Sequence, residues 1–364
     1  MSNNKKISVI LLSLMHLLCD LICAFKVVGI LGNEYIEYSL IIFILYNGLA
    51  FCFQPLAGLI IDKVHSEKQL ILCTSVLLVT GILFNNFLIC SVLLGLANCI
   101  FHVAGGKICT NISTNKATHL GLFVSLGAIG LMIGSNFYNY KLIIILSVIL
   151  YIVLSIIVFL LHKDESKELL KNSNIPVSKK VFAVIFLVLI VFIRSFVGKI
   201  VHYDFEITIS LVVIFAVASA FGKFIGGVLK DIFGSFKVIL VSLTLCGIIL
   251  LLFDNIIILM IIGTILINIS MPITLFELNK LNPNHEGLNF GLLAAVLFPG
   301  VALGLIYPYE IISYTILVII SMILSIYGIY YVIRLEKKNV WYDNSVNINN
   351  CYWNVVFVDI TKER

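Results

Sequence analysis

Gly58-Leu59-Ile60-Ile61-Asp62, followed by Ser66 and Lys68, has a second copy in Gly227-Val228-Leu229-Lys230-Asp231, followed by Ser235 and Lys237. The copies lie 169 residues apart and agree at the glycine, the aspartate, the serine and the lysine. Each stands where an apolar run gives way to a short charged loop before the next run begins. In a membrane protein, a repeat of about half the chain length points to two related helical bundles with cargo bound between them. Glycine near the end of a span lets a neighbouring helix approach closely. The aspartate beyond it can accept hydrogen bonds from a helix N-terminus and complement that helix's dipole. An ordinary helix end with a solvated loop would account for one copy; two copies at matching positions favour a functional part.

Composition supports the membrane reading. The 364 residues are 61% hydrophobic and 12% charged, with a mean hydropathy of +1.12, against about 45–50% apolar residues in soluble domains. Runs long enough to cross about 30 Å of hydrocarbon occur at 8–30, 38–61, 69–85, 87–106, 119–138, 142–161, 181–202, 207–229, 237–253, 256–277, 289–306 and 311–333. The expected fold is all-α and polytopic: twelve transmembrane helices in two six-helix, pseudo-symmetric bundles. The domains read as an N-terminal bundle (1–161), a polar linker (162–180) containing Pro176, a C-terminal bundle (181–334) and a polar tail (335–364). Within the tail, 353–360 can form a strand or pack on the bundle. The first run follows Lys5 and Lys6, is long and lacks a small-residue cleavage site, so it reads as a span and not as a cleaved signal peptide.

Basic residues set the orientation. With the N-terminus inside, the internal loops and the tail collect nearly every loop lysine and arginine, and the other side has only Lys141. Both termini are therefore expected in the cytoplasm, at a plasma (inner) membrane. The formal charge of +5 reports this bias; basic residues scattered over membrane-edge loops do not form a nucleic-acid footprint. The nine cysteines fall mostly within spans. Cys19 and Cys23 share a helix face, where buried free thiols explain them better than a metal. Lipid-diphosphate chemistry would need clustered carboxylates, but the acidic residues are scattered. With no nucleotide-binding loop either, the reading is of a non-enzymatic chain without cofactor or metal.

Both repeat loops resemble the Gly-x-x-x-Asp-Arg/Lys-x-Gly-Arg/Lys-Arg/Lys signature of the major facilitator superfamily. The first copy keeps Gly58, Asp62 and Lys63 but has His65 at the second glycine; the second keeps Gly227, Asp231 and Gly234 but has Ile232 at the basic position. The resemblance implies that these residues belong to a cytoplasmic gate. Further segments resemble the fosmidomycin-resistance-like branch: His16-Leu17-Leu18-Cys19-Asp20, Phe101-His102-Val103-Ala104-Gly105-Gly106, the glycines 121, 127, 130 and 134, Arg194-Ser195-Phe196-Val197-Gly198, and a Pro, Asn-Pro, Gly-Leu-x-x-Gly series from Pro272 to Gly291 that includes Glu277. Their shared order is more telling than any one motif. The branch implies export.

Ionisable groups inside spans are costly and mark function or pairing. Counting from the cytoplasmic ends, Asp20 and Arg194 lie about 20 Å deep in their helices. Asp20 is a candidate protonation site, with His16, one turn away, or Arg194 tuning it, and His102 is a further proton-route candidate. A static ion pair or a structural histidine explains the same residues without transport. Lys26 and Lys199 lie where lysine can snorkel. Gln54 and Lys223 occupy matching repeat positions and, with Arg194 and Glu277, are candidates for the substrate cavity. Asp20 set against Arg194 and Lys223 makes that cavity mildly positive and favours an anionic or amphiphilic solute. The expected function is secondary active transport: proton-coupled efflux of a small molecule by a monomer in the bilayer, through alternating access. A nutrient importer, or a facilitator-like sensor or assembly protein that does not transport, remains the alternative.

Overall fold

The computed structural model describes residues 3–113, 115–162, 175–201, 205–307 and 313–359, with side chains described from Asn4 to Glu336. The chain folds as α1 (Asn4–Glu34), α2 (Ile36–Val64), α3 (Glu67–Leu83), α4 (Phe87–Ile112), α5 (Thr118–Asn136), α6 (Lys141–Leu161), α7 (Val177–Ile200), α8 (Ile209–Phe233), α9 (Ser235–Leu252), α10 (Ile257–Leu281), α11 (Glu286–Ile306) and α12, which runs from Tyr314 to Asp359. Eleven of these are long and apolar enough to cross a membrane. The twelfth, α3, has 17 residues, about 26 Å of helix, and packs between α4 and α6. Most of the expected linker, 163–174, lies outside the described residues, as do 360–364. The backbone of α12 stays helical to Asp359, so 353–359 is not a strand; helical continuation keeps its backbone groups bonded within the segment.

Local sequence explains where helices stop. The Asn86 side chain accepts from the Leu88 and Ile89 amides and starts α4, and Thr208 caps α8 in the same way through Leu211. The residues at the second glycine of the repeat take positive φ: His65 at +51° after α2 and Gly234 at +84° after α8. Glycine enters that region without a Cβ penalty, whereas histidine is strained there. The two loops share a positive φ at this position but not a conformation: His65 is in the left-handed helical region at ψ 43°, and Gly234 is extended at ψ 154°.

Helices that are apolar all round put their few polar groups inward. On α6, Ile145, Leu146, Ile149, Val153 and Leu160 are exposed on the outer surface, while Ser147, Tyr151, Ser155 and Val158 are buried. Tyr151 and Thr74 of α3 share a 2.7 Å hydroxyl contact, and Ser75 donates to Ser155 at 2.9 Å. Such bonds join helices where no hydrophobic driving force separates protein from lipid.

The packing repeats at a step of six helices. α1 packs on α5 and α6, α3 on α4 and α6, and α2 on α4; likewise α7 packs on α11 and α12, α9 on α10 and α12, and α8 on α10. The halves meet through α2 against α11 and α5 against α8. Gly130 and Gly134 of α5 sit on the Leu17 and Leu21 carbonyls of α1, as Gly300 and Gly304 of α11 sit on those of Phe192 and Phe196 in α7. This register matches Asp20 with Ser195 and leaves Arg194 equivalent to Cys19. α5 and α11 each break once, at Leu126 and Val296. A valine at Gly130 or Gly300 would drive a side chain into the facing backbone, an overpacking cost of about 1–3 kcal/mol or more. Gly198, by contrast, has open space around it. Thermal melts of the purified protein should show Gly130→Val and Gly300→Val unfolding well below wild type and Gly198→Ala close to it.

Candidate functional site

The first turn of any helix leaves amide hydrogens without intrahelical acceptors. At one end of the molecule, here termed the loop face, the repeat aspartates supply those acceptors across the two halves. Asp62, at the end of α2, accepts from the Gly287 and Leu288 amides at 2.9 Å each, the start of α11. Asp231, at the end of α8, accepts from the Ala117 and Thr118 amides at 2.8 and 2.9 Å and from the Thr118 hydroxyl at 2.6 Å, the start of α5. Each cap is charge-assisted and aligned with the capped helix's dipole. Gly58 and Gly227 make the approach possible: a Cβ on either would overlap the backbone of Gly287 or Ala117. Behind Asp62, the buried Lys107 reaches Asp62 at 3.4 Å, Glu67 at 2.5 Å and the Ile61 carbonyl at 2.9 Å. Beside Asp231, Lys230 pairs at 3.2 Å and covers the Phe276 ring.

Between the halves lies a cavity of about 850 Å³. It runs from His16, Asp20 and His102 toward Gly32, Ser39 and Leu305 at the face opposite the caps, between walls that include Phe43, Tyr46, Phe51, Phe290 and Phe298. Lys223 and Ser219 enter it from α8. Its inner end is a compact polar cluster. His16 Nδ1 lies 2.7 Å from the Phe123 carbonyl, in the last turn before the α5 break, and His102 Nδ1 lies 2.8 Å from the Asn98 carbonyl. Carbonyls only accept, so both Nδ1 atoms carry hydrogen. The two Nε2 atoms are 2.8 Å apart, which is a hydrogen bond only if one of them is also protonated. A hydrogen shared between them would give the pair a single positive charge. Asp20 lies 3.3 Å from His16 Nε2 and 3.4 Å from His102 Nε2, and Asn98 donates to its Oδ1 at 2.9 Å.

The sequence candidates separate into two places. Asp20, His16, His102 and Lys223 line the cavity; Gly58, Asp62, Gly227, Asp231 and Gly234 form the loop face, where Lys63 is exposed. Arg194 does not meet Asp20: it is buried, and its Nη2 donates to Thr274 of α10 at 2.8 Å. Depth along the helix was right for a partner, but one residue of register turns a side chain by about 100°, and Arg194 points into its own half as Cys19 does. Gln54 is fully buried under Gly291, with its Nε2 on the Ala50 carbonyl. Glu277 is buried at the loop face, bonded to Ser235 and 3.4 Å from Lys280. Neither lines the cavity; among the described residues its ionisable lining is Asp20, Lys223, His16 and His102. Asn98, Lys107, Glu67 and the α5 and α11 N-termini were not singled out from sequence. The signal for Asn98 is its place one turn before His102.

Two six-helix halves thus each cap a helix of the other around a central cavity. The family model described as Major Facilitator Superfamily matches residues 21–197. Among solved structures, the chain is similar to the crystal structure of a variant of the E. coli fucose:proton symporter FucP, with TM-score 0.62 and 14% identity over 93% of this chain and 99% of that one. It is also similar to a crystal structure of a Major Facilitator Superfamily transporter, FucP, in the outward conformation, with TM-score 0.55 and 14% identity over 89% of this chain and 98% of that one. No curated protein matches its sequence. The chain has the major facilitator fold, and its residues 21–197 are similar to that superfamily's model.

Losing a charged cap costs about 0.5–2 kcal/mol. Asp62→Ala and Asp231→Ala should each lower the thermal midpoint of the purified protein. The double variant should lose close to the sum, because the two caps share no residue.

Proposed function

We propose that this protein is a secondary active transporter that exports a small amphiphilic anion in exchange for protons, by rocking its two six-helix halves. The observation that carries the reading is one central cavity, shut at the loop face by two exchanged aspartate caps and extending to the other face, with an ionisable cluster at its inner end. A carrier needs a site that is reached from one side at a time. The caps are two discrete contacts that must break for the loop face to open.

The loop face is taken as cytoplasmic, with both termini on that side, from the distribution of lysine and arginine. The linker then joins the halves inside the cell. Asp20, His16 and His102 together are the proposed proton site, a hydrogen shared between the histidines being the mobile one and Asp20 its counter-charge. Aromatic and aliphatic walls with Lys223 as the fixed cation suit an apolar body bearing a negative group. They are less suited to a polyhydroxylated sugar, which would need many convergent hydrogen-bond groups. Export, and the fosmidomycin-resistance-like branch, rest on the ordered motifs from His16 to Gly291.

Everted vesicles containing the protein, acidified inside, should accumulate labelled amphiphilic carboxylates or phosphonates. A protonophore should abolish the signal, and Asp20→Asn should cut it about tenfold or more. Accumulation in right-side-out vesicles driven by outside acid would instead show import. No flux in either orientation across a broad anion panel would contradict transport.

A further inference from the structure

The cluster of His16, His102 and Asp20 has the form of a metal ligand set, and we propose that it binds one divalent ion of the zinc, cobalt and nickel group on the cavity wall. Three observations converge. First, both histidines commit Nδ1–H to a backbone carbonyl, Phe123 at 2.7 Å and Asn98 at 2.8 Å. Their Nε2 atoms therefore face the same gap, 2.8 Å apart. This outer-shell arrangement fixes the tautomer and ring orientation of metal-bound histidine. Second, the spacing is right. Donor atoms about 2.0–2.1 Å from one ion stand about 2.9–3.4 Å from each other, depending on the coordination angle. Here the two nitrogens are 2.8 Å apart, and each has an Asp20 oxygen at 3.3 or 3.4 Å. Asn98 Nδ2 holds Oδ1 of that carboxylate at 2.9 Å.

Third, the cluster is reachable without being loose. Both imidazoles are buried, the Asp20 side chain is 18% exposed, and all three line the cavity. Gly127 keeps the gap open, since a Cβ there would overlap both Asp20 Oδ2 and His16 Nε2. Two imidazoles and one carboxylate suit zinc-like ions better than magnesium or calcium, which take oxygen. The cavity side offers the next coordination position. With Lys223 on that cavity's wall, a negatively charged fourth ligand is favoured over a second cation. An ion there leaves no room for a hydrogen shared by the two Nε2 atoms, 2.8 Å apart. The inference shares residues with the proton site but does not rest on transport, because a chain that moves nothing would still bind the ion.

The test is a cobalt(II) titration of the purified full-length protein in detergent, in a Cys52→Ser/Cys73→Ser/Cys351→Ser background that removes the exposed thiols among the described residues and the thiol of the tail. The expected result is visible absorption of low-symmetry cobalt with nitrogen and oxygen ligands, saturating at one equivalent and displaced by zinc. His16→Ala and His102→Ala should abolish it and Gly198→Ala, in open space away from the cluster, should keep it. Asn98→Ala, which retains all three ligands, should weaken it about 10–100-fold. Absence of the signal in folded protein, or an unchanged signal in His16→Ala/His102→Ala, overturns the proposal. Cobalt binding without proton-driven flux supports the metal site while removing the transport reading; flux without cobalt binding does the reverse.

Discussion

A carboxylate at the end of one helix, capping the first turn of a helix in the other half, is the contact on which the arrangement depends. At a membrane edge the unsatisfied amides of a helix start are expensive to leave bare. The chain satisfies them twice, by exchange: α2 caps α11 through Asp62, and α8 caps α5 through Asp231. The glycines one turn earlier in the repeat remove the side chain that would hold the helices apart. Each cap is modest in energy, about 0.5–2 kcal/mol, so the proposed opening of the loop face would break two contacts of that size. Lys107 and Glu67 on one side, and Lys230 on the other, surround the two carboxylates with different partners. The two caps are therefore alike in geometry and unlike in electrostatics.

The near-symmetry of the helices does not extend to the chemistry inside them. Asp20 corresponds to Ser195, whose hydroxyl donates to the Leu297 carbonyl of α11, and Cys19 corresponds to Arg194. The ionisable cluster belongs to the N-terminal half alone, built by α1 and α4 with a carbonyl from α5. The C-terminal half contributes Lys223 and part of the apolar wall. Closure is thus shared between the halves, while the proton and metal chemistry proposed here is concentrated in one of them.

Much of the fold was legible because its causes are local and periodic. Hydropathy gave the spans, and the Gly-x-x-x-Asp repeat gave the two halves and the capping role of its aspartates. Depth was legible too, since 1.5 Å per residue converts sequence number into position along a helix. Rotation about the helix axis was not. Arg194 has the right depth and the wrong azimuth, and Glu277 lies at the loop face instead of in the cavity. The meeting of His16 with His102, 86 residues apart, depends on α1 packing against α4, which no short-range pattern reports. The same holds for Lys107, visible in sequence only as one more basic residue on a membrane-edge loop.

The central claim is that the two exchanged caps hold the loop face shut. Its most direct test is the distance between spin labels at Val64 and Ile232, exposed positions at the ends of α2 and α8, measured by pulsed electron resonance. Wild-type protein should show a dominant short distance. Asp62→Asn/Asp231→Asn should move a substantial population to a longer one, as the loop face parts. An unchanged distribution in the doubly uncapped protein would contradict the account.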